Sequence, residues 1–391
     1  MTRRRPLTSL LAAVLGAAAL ALCLAAAGAA NEVDPADLVL PPSAQLASES
    51  ARFRDVAIRG IRDARTHWYD SGRGWYLERL NDTRQYPLAT IWGVVHLFEA
   101  IDARAIARPT AANRAAVDAF ARGAERYFDP NLPPSGGYAP YPTDRSGHER
   151  AWFDDNGWWG IAFVDAYRAT GNRRYLGDAA KAMQFIAKAG WASSGGLWWN
   201  TAHPHKSGEA LASGTALAAL LYEHTGKASY LATARKFMSW GDEHFTWKLG
   251  LYRRNDSDPT PMGYVEGPMI GAHEILCRVA HDAHACARMS QLADASLERF
   301  GTEVNHGPQY DSIYLRWMLE LYEHDGDARW FALARHNGLR ALAGARDGSG
   351  LFMRAWDGGP AHSASYPGLL QTHAATVSLF AWLAAAPVPQ G

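Results

Sequence analysis

Two adjacent carboxylates stand among aromatic rings in the run Ala151-Trp152-Phe153-Asp154-Asp155-Asn156-Gly157-Trp158-Trp159-Gly160. A single acid in such a place serves as a helix cap or first-turn residue, satisfying free N–H groups and the helix dipole. Two neighbouring acids flanked by Trp152, Phe153, Trp158 and Trp159 repel each other and lose water, which holds a proton on one and leaves the other ionised. Chemistry at a glycosidic bond uses that division. One carboxyl protonates the departing oxygen, and the other attacks the anomeric carbon or activates water. From these residues alone, catalysis and capping both stay open.

Other reactive constellations are missing from the sequence. His203-Pro204-His205 and the pair His281 and His284 have short spacings, but no acid or Cys beside them completes a metal set, so no metal and no cofactor is expected. No Gly-rich phosphate loop or nucleophilic Ser arrangement is present. Cys277 and Cys286 flank a predicted helix–helix turn; a bridge and two buried thiols are both compatible with that spacing.

Charge and composition narrow the partners. The 391 residues hold 39 Lys+Arg against 39 Asp+Glu, which gives no field for a phosphate backbone or an anionic membrane, so nucleic acid is not expected. The 15 Trp call for an explanation, because indoles are well suited to lie against sugar faces or in interfaces. Arg3-Arg4-Arg5 followed by an Ala/Leu-rich stretch to Ala27-Gly28-Ala29-Ala30 reads as a secretory signal over residues 1–30, with an uncleaved anchor as the alternative. Leu20-Ala21-Leu22 before Cys23 places a bulky residue where a lipoprotein signal needs a small one. Cleavage leaves 36 basic and 39 acidic residues on a secreted or periplasmic chain without a membrane segment, expected to act as a monomer.

The elements that must position the acids repeat along the chain. Ala166 to Leu176, Leu221 to Leu231 and Leu321 to Phe331 share a pattern of helix end, Gly171, Gly226 or Gly326, polar turn and an aromatic opening the next helix. Val279-Ala280-His281-Asp282 is a weaker copy, and His96 to Asp102 reads as an earlier degenerate one, so the repeats are expected to begin near Ser48. The unit is a helical hairpin of about 50 residues. Residues 31–391 accommodate six to seven of them, a number that closes a ring, and the Gly/Pro/Trp-rich stretches 131–147, 192–208 and 246–267 become loops at one end. The expectation is a single all-α toroid with only short strands inside its loops.

The stretch Trp152 to Leu176, WFDDNGWWGIAFVDAYRATGNRRYL, resembles the signature segment of glycoside hydrolase family 76, and Gly195-Gly196-Leu197-Trp198-Trp199-Asn200 resembles a second family loop. Tyr264-Val265-Glu266-Gly267 and Ile313-Tyr314-Leu315-Arg316 stand in the places of two more, so the resemblance runs from about Gln85 to the C-terminus. It implies an (α/α)6 barrel and endo-acting, retaining hydrolysis of α-1,6-mannan. Asp154 would be the nucleophile and Asp155 the general acid/base. Asn156 would orient the acids or the sugar, and Trp198, Trp199, Asn200, Tyr264 and Glu266 would lie along the substrate. A transglycosylase on the same substrate, or another α/α-toroid enzyme such as an unsaturated-uronide hydrolase or sugar epimerase, is the alternative. The chain departs from the family pattern at three places. Gly208-Glu209 replaces a Lys-Asn pair, Glu266 replaces a Gln, and Asp311 replaces a Lys; Glu266 and Asp311 are expected to add negative charge to the cleft.

Overall fold

The computed structural model describes residues 33–143, 150–361 and 368–390. The leader assigned to residues 1–30, with Cys23, lies outside the described residues, as does part of the 131–147 loop. Twelve α-helices follow: α1 Ser43–His67, α2 Ile91–Ala107, α3 Ala111–Ala124, α4 Phe153–Thr170, α5 Arg174–Phe185 and α6 Gly208–Thr225. The second half continues with α7 Ala228–His244, α8 Gly263–Ala280, α9 Ala283–Phe300, α10 Pro308–Asp325, α11 Ala328–Gly344 and α12 Leu370–Ala385.

Helix composition alternates, and the architecture follows from it. In α7 the buried residues Ala234, Phe237, Met238 and Gly241 form one stripe at helical spacing, the mark of a helix with a solvent face. Helix α6 is buried continuously from Gly208 to Leu221, as a helix apolar on all sides must be. The even-numbered helices therefore form an inner ring and the odd-numbered ones an outer ring. Each inner helix packs on the next, from α2 through α4, α6, α8 and α10 to α12, and α12 packs back on α2. Among the described residues the toroid is closed by five hairpins and a sixth pair, α12 packed on α1 from the other end of the chain.

Tight turns follow the inner helices. Gly171, Gly226 and Gly326 take φ of 75°, 66° and 76°, and each amide donates to the carbonyl four residues back. After α8 the same left-handed place is taken by His281 (φ 51°), and a disulfide joins Cys277 to Cys286 across that turn, with Cα atoms 4.7 Å apart. The expected copy at His96 to Asp102 is not a turn. It lies in the middle of α2, because nothing there breaks the helix, and the chain reverses instead at Arg108 to Thr110, where Thr110 caps α3. The ring likewise begins at Ser43, a few residues before the expected start.

Because every tight turn leaves the C-terminal end of an inner helix, the long connections all gather at the inner N-terminal ends. Two of them carry short antiparallel ladders, β1 Tyr69–Asp70 with β2 Trp75–Tyr76 and β3 Phe128–Asp129 with β4 Gly137–Tyr138. Helices α4 and α6 meet closely where Gly157 faces Ser213, since a Cβ at Gly157 would lie 2.2 Å from the Ser213 hydroxyl.

Buried charge lies on the inner ring. Arg316 of α10 reaches Asp165 of α4 at 2.7 Å and Glu99 of α2 at 3.0 Å, while Arg168 meets Glu320 at 2.6 Å. Nearby Asp102 is wholly buried, and burial and the charge of Asp165 hold its carboxyl well above the usual range. Among the described residues no helix is long and apolar enough to cross a membrane.

Candidate active site

The inner N-termini enclose a cleft of about 480 Å³. Thr90 and Trp92 come from the start of α2, Asp154 and Asp155 from α4, and Glu209 from α6; Tyr264 and Tyr310 open α8 and α10. Pro140, Tyr141, Trp152, Trp199 and Arg254 complete the wall from the loops. Convergent N-termini direct free N–H groups and positive dipole ends toward this space, which favours anionic groups there. Two other cavities, of about 300 and 500 Å³, lie on the outer flank against α1, α2 and α3; their walls hold arginines and no carboxylate.

The aspartates occupy the first turn of α4, and neither is its N-cap. Trp152 holds that position without a side-chain capping bond, which frees both carboxyls for the cleft. Burial pushes Asp155 up to about 7, with the charge of Glu78 adding to the effect. Asp154 is raised by burial first, then by Asp155 and Glu209. The indole N–H of Trp199 donates to its Oδ2 at 3.3 Å and works in the opposite direction. Two negative charges are unfavourable in so dry a space, so the pair retains a proton near neutral pH.

Aromatic rings form the floor. Tyr264 and Tyr310 have centroids 4.7 Å apart, and the Trp92 ring lies 6.0 Å from Tyr310 and 6.3 Å from Trp158. Among the described residues no group of three His, Cys, Asp or Glu could hold a metal ion. The arrangement of an acid pair, a flat apolar floor and hydrogen-bonding walls suits acid/base and nucleophilic chemistry on a ring with many hydroxyls.

The profile of Glycosyl hydrolase family 76 matches residues 137–333, half of the chain, with the acid pair and five of the cleft-lining positions that follow it. The chain belongs to glycosyl hydrolase family 76. It is thus a glycosidase. Solved structures agree in fold. A GH76 alpha-mannanase of Bacteroides thetaiotaomicron is 22% identical with a TM-score of 0.75, covering 86% of this chain and 95% of its own. The GH76A alpha-1,6-mannanase of Salegentibacter sp. HEL1_6 is 18% identical with a TM-score of 0.70, covering 86% of this chain and all of its own. A cellobiose 2-epimerase of Spirochaeta thermophila has the same architecture at 13% identity and a TM-score of 0.59, covering 86% of this chain and 98% of its own. No curated protein sequence matches the chain.

Within this family 76 fold, the residues singled out from sequence separate. Asp154, Asp155, Trp199 and Tyr264 line the cleft together. Trp198 turns away and stacks on His203, while Trp199 stacks on His205, so the two indoles face opposite sides of their loop. Asn156 points into the fold. Its Oδ1 accepts from the Tyr138 amide at 2.8 Å and its Nδ2 donates to the carbonyls of Tyr138 and Trp152, which ties β4 to α4 behind the acids. Asn200 is also buried and folds its own turn through the Ala202 amide.

The expected acidic additions to the cleft fall elsewhere. Glu266 is fully buried and accepts the Tyr252 amide at 2.8 Å, and Asp311 accepts the Gly307 amide at 2.9 Å at the start of α10. Neither lines the cleft. The added carboxylate is Glu209, and Trp92, Tyr141, Trp152, Arg254 and Tyr310 are further wall residues that sequence reasoning did not assign to the site. For Trp92, Trp152, Glu209 and Tyr310 the common signal, visible only with helix boundaries in hand, is position at or just before the N-terminus of an inner helix; Tyr141 and Arg254 come from the loops.

Proposed function

We propose that this family 76 enzyme is an exported endo-hydrolase of α-1,6-mannan, built as one catalytic domain over residues 31–391 after removal of a leader over residues 1–30. The observation that carries the reading is the Asp154–Asp155 pair, raised by burial, in a cleft floored by Trp92, Tyr264 and Tyr310. Two related findings support the substrate. A Salegentibacter GH76A variant with two aspartates replaced by asparagine is inactive and is described in complex with alpha-1,6-mannotriose. The near balance of charge also suits a neutral polysaccharide.

Burial holds both carboxyls above their usual range and they share one proton. In this reading that proton stands on Asp155 once the sugar is bound, and Asp155 gives it to the glycosidic oxygen as the Asp154 carboxylate attacks the anomeric carbon. The C–O bond to the leaving sugar breaks, and a covalent glycosyl ester forms on Asp154. Asp155, now ionised, takes a proton from water, which opens the ester, returns Asp154 as a carboxylate and gives overall retention. Trp199 stabilises the charge on Asp154 through its N–H. The test uses purified protein, Asp154→Ala and Asp155→Ala with linear α-1,6-mannan. Mid-length oligosaccharides of retained configuration are expected from the parent, and only traces from either variant. A parent that releases nothing overturns the substrate; variants with full activity overturn the site.

A further inference from the structure

Glu209 is the third carboxylate of the cleft, and nothing in the proposed reaction uses it. It lies in the first turn of α6, is 7% exposed, and shares a wall with Asp154 and Asp155. Its Oε1 accepts from the Tyr264 hydroxyl and from Arg254 Nε at 3.4 Å, and its Oε2 accepts from the Ser207 hydroxyl at 2.5 Å. A carboxylate offers about four acceptor sites. Three are filled by protein donors that fix its position, which leaves acceptor capacity on the cleft side. Tyr264 spends its one hydrogen on Glu209, and its oxygen is in turn held by Arg254. This side of the site therefore sets an acceptor, Glu209, beside a cationic donor, Arg254, and the free acceptor capacity calls for a donor from whatever occupies it.

We propose that Glu209 is a specificity-determining residue: locked by Tyr264, Ser207 and Arg254, it accepts a hydroxyl of the sugar beside Asp154. The inference rests on the cleft being the site of glycan hydrolysis. A buried acceptor left unpaired by the wrong substrate discriminates more sharply than an apolar contact. The carboxylate also places its charge against the pair. The titratable and charged groups around the pair are Glu209 on α6, Tyr264 on α8, Tyr310 on α10, Tyr141 and Arg254 from the loops, Glu78 acting on Asp155, and His205 behind Trp199.

A purely structural Glu209 would only brace Ser207, whose hydroxyl caps α6 by accepting the Ala210 amide. Two readouts separate the roles in Glu209→Gln, and Tyr264→Phe, which unlocks Glu209 without removing its charge, repeats the second should Glu209→Gln fail to fold. In the first, the indole N–H of Trp199 is followed by NMR against pH in a His205→Gln background. It reports the ionisation of the aspartate pair without any substrate. Glu209→Gln lowers the midpoint by about half a pH unit or more; a midpoint that stays in place overturns the proposal whatever glycan is cleaved. In the second, KM for α-1,6-mannotetraose rises about tenfold or more while kcat stays within about threefold. An unchanged KM with an active parent overturns the proposal alone. A parent inactive on mannan overturns the substrate reading, and the NMR midpoint then decides the placement of Glu209.

Discussion

The indole N–H of Trp199 donates to Oδ2 of Asp154 at 3.3 Å, and the other oxygen of that carboxyl is buried without a protein partner. One donor therefore orients the carboxylate that attacks in the proposed reaction. Trp199→Phe keeps an aromatic ring against His205 and removes the donor. A hydrogen bond to a charged group contributes about 1.5–3 kcal/mol, so kcat should fall about tenfold to a hundredfold. Trp198→Phe, on the opposite side of the loop, should stay within about twofold. Steady-state rates on one mannan preparation compare the two.

Asp155 is an acid kept protonated by its surroundings, and that has a cost to the fold. Burial pushes its carboxyl up to about 7, above its usual value of 3.8, so the native state binds the extra proton. Its destabilisation is absent below about pH 4, grows as pH rises from about 4 to 7, and is constant above. Asp155→Asn should be about as stable as the parent at pH 4 and more stable by about 1–3 kcal/mol at pH 8. Thermal melts at both pH values check the sign, and activity assays on the same samples should show a loss of about a thousandfold.

In the proposed reaction the same proton sets the alkaline side of catalysis. With Asp155 giving up its proton near 7, kcat/KM should fall tenfold per pH unit above that point. A profile flat from pH 6 to 9 would show that another group protonates the leaving oxygen.

Arg316 is 2% exposed between Asp165 and Glu99. Arg316→Met fills much of the space but takes away the cation between Glu99 and Asp165, leaving Asp165 its contact with Arg168 at 3.2 Å. Such a broken buried pair costs about 3–5 kcal/mol, read as a lowered urea midpoint. Arg316→Lys keeps a charge and loses the fork that spans two helices, and it should fall between the parent and Arg316→Met.

The ring was legible because its signal repeats: the Gly of each tight turn and the aromatic after it recur at Gly171, Gly226 and Gly326. The acid pair was legible from the crowding of Trp152, Phe153, Trp158 and Trp159 around it. Less visible was the direction of each side chain. Successive residues of a helix point about 100° apart, so Asp154 and Asp155 can share a cleft while Asn156 turns to the Tyr138 backbone. Tyr264 and Glu266, two positions apart on α8, likewise cannot both face it. Trp92, Glu209 and Tyr310 come from three inner helices separated by more than a hundred residues each. Only closure of the ring brings them together, and a short motif carries no record of that.

The tight turns at the far rim offer a handle on the enzyme. A Cβ built at Gly171, Gly226 or Gly326 meets no heavy atom within 4 Å, and these turns lie at the opposite ends of the inner helices from the cleft. Residues inserted beside these glycines, leaving the left-handed glycine in place, would touch nothing that shapes the acid pair. A tether attached at that rim would hold every molecule on a support with its cleft turned toward the solution, where a long polymer can reach it.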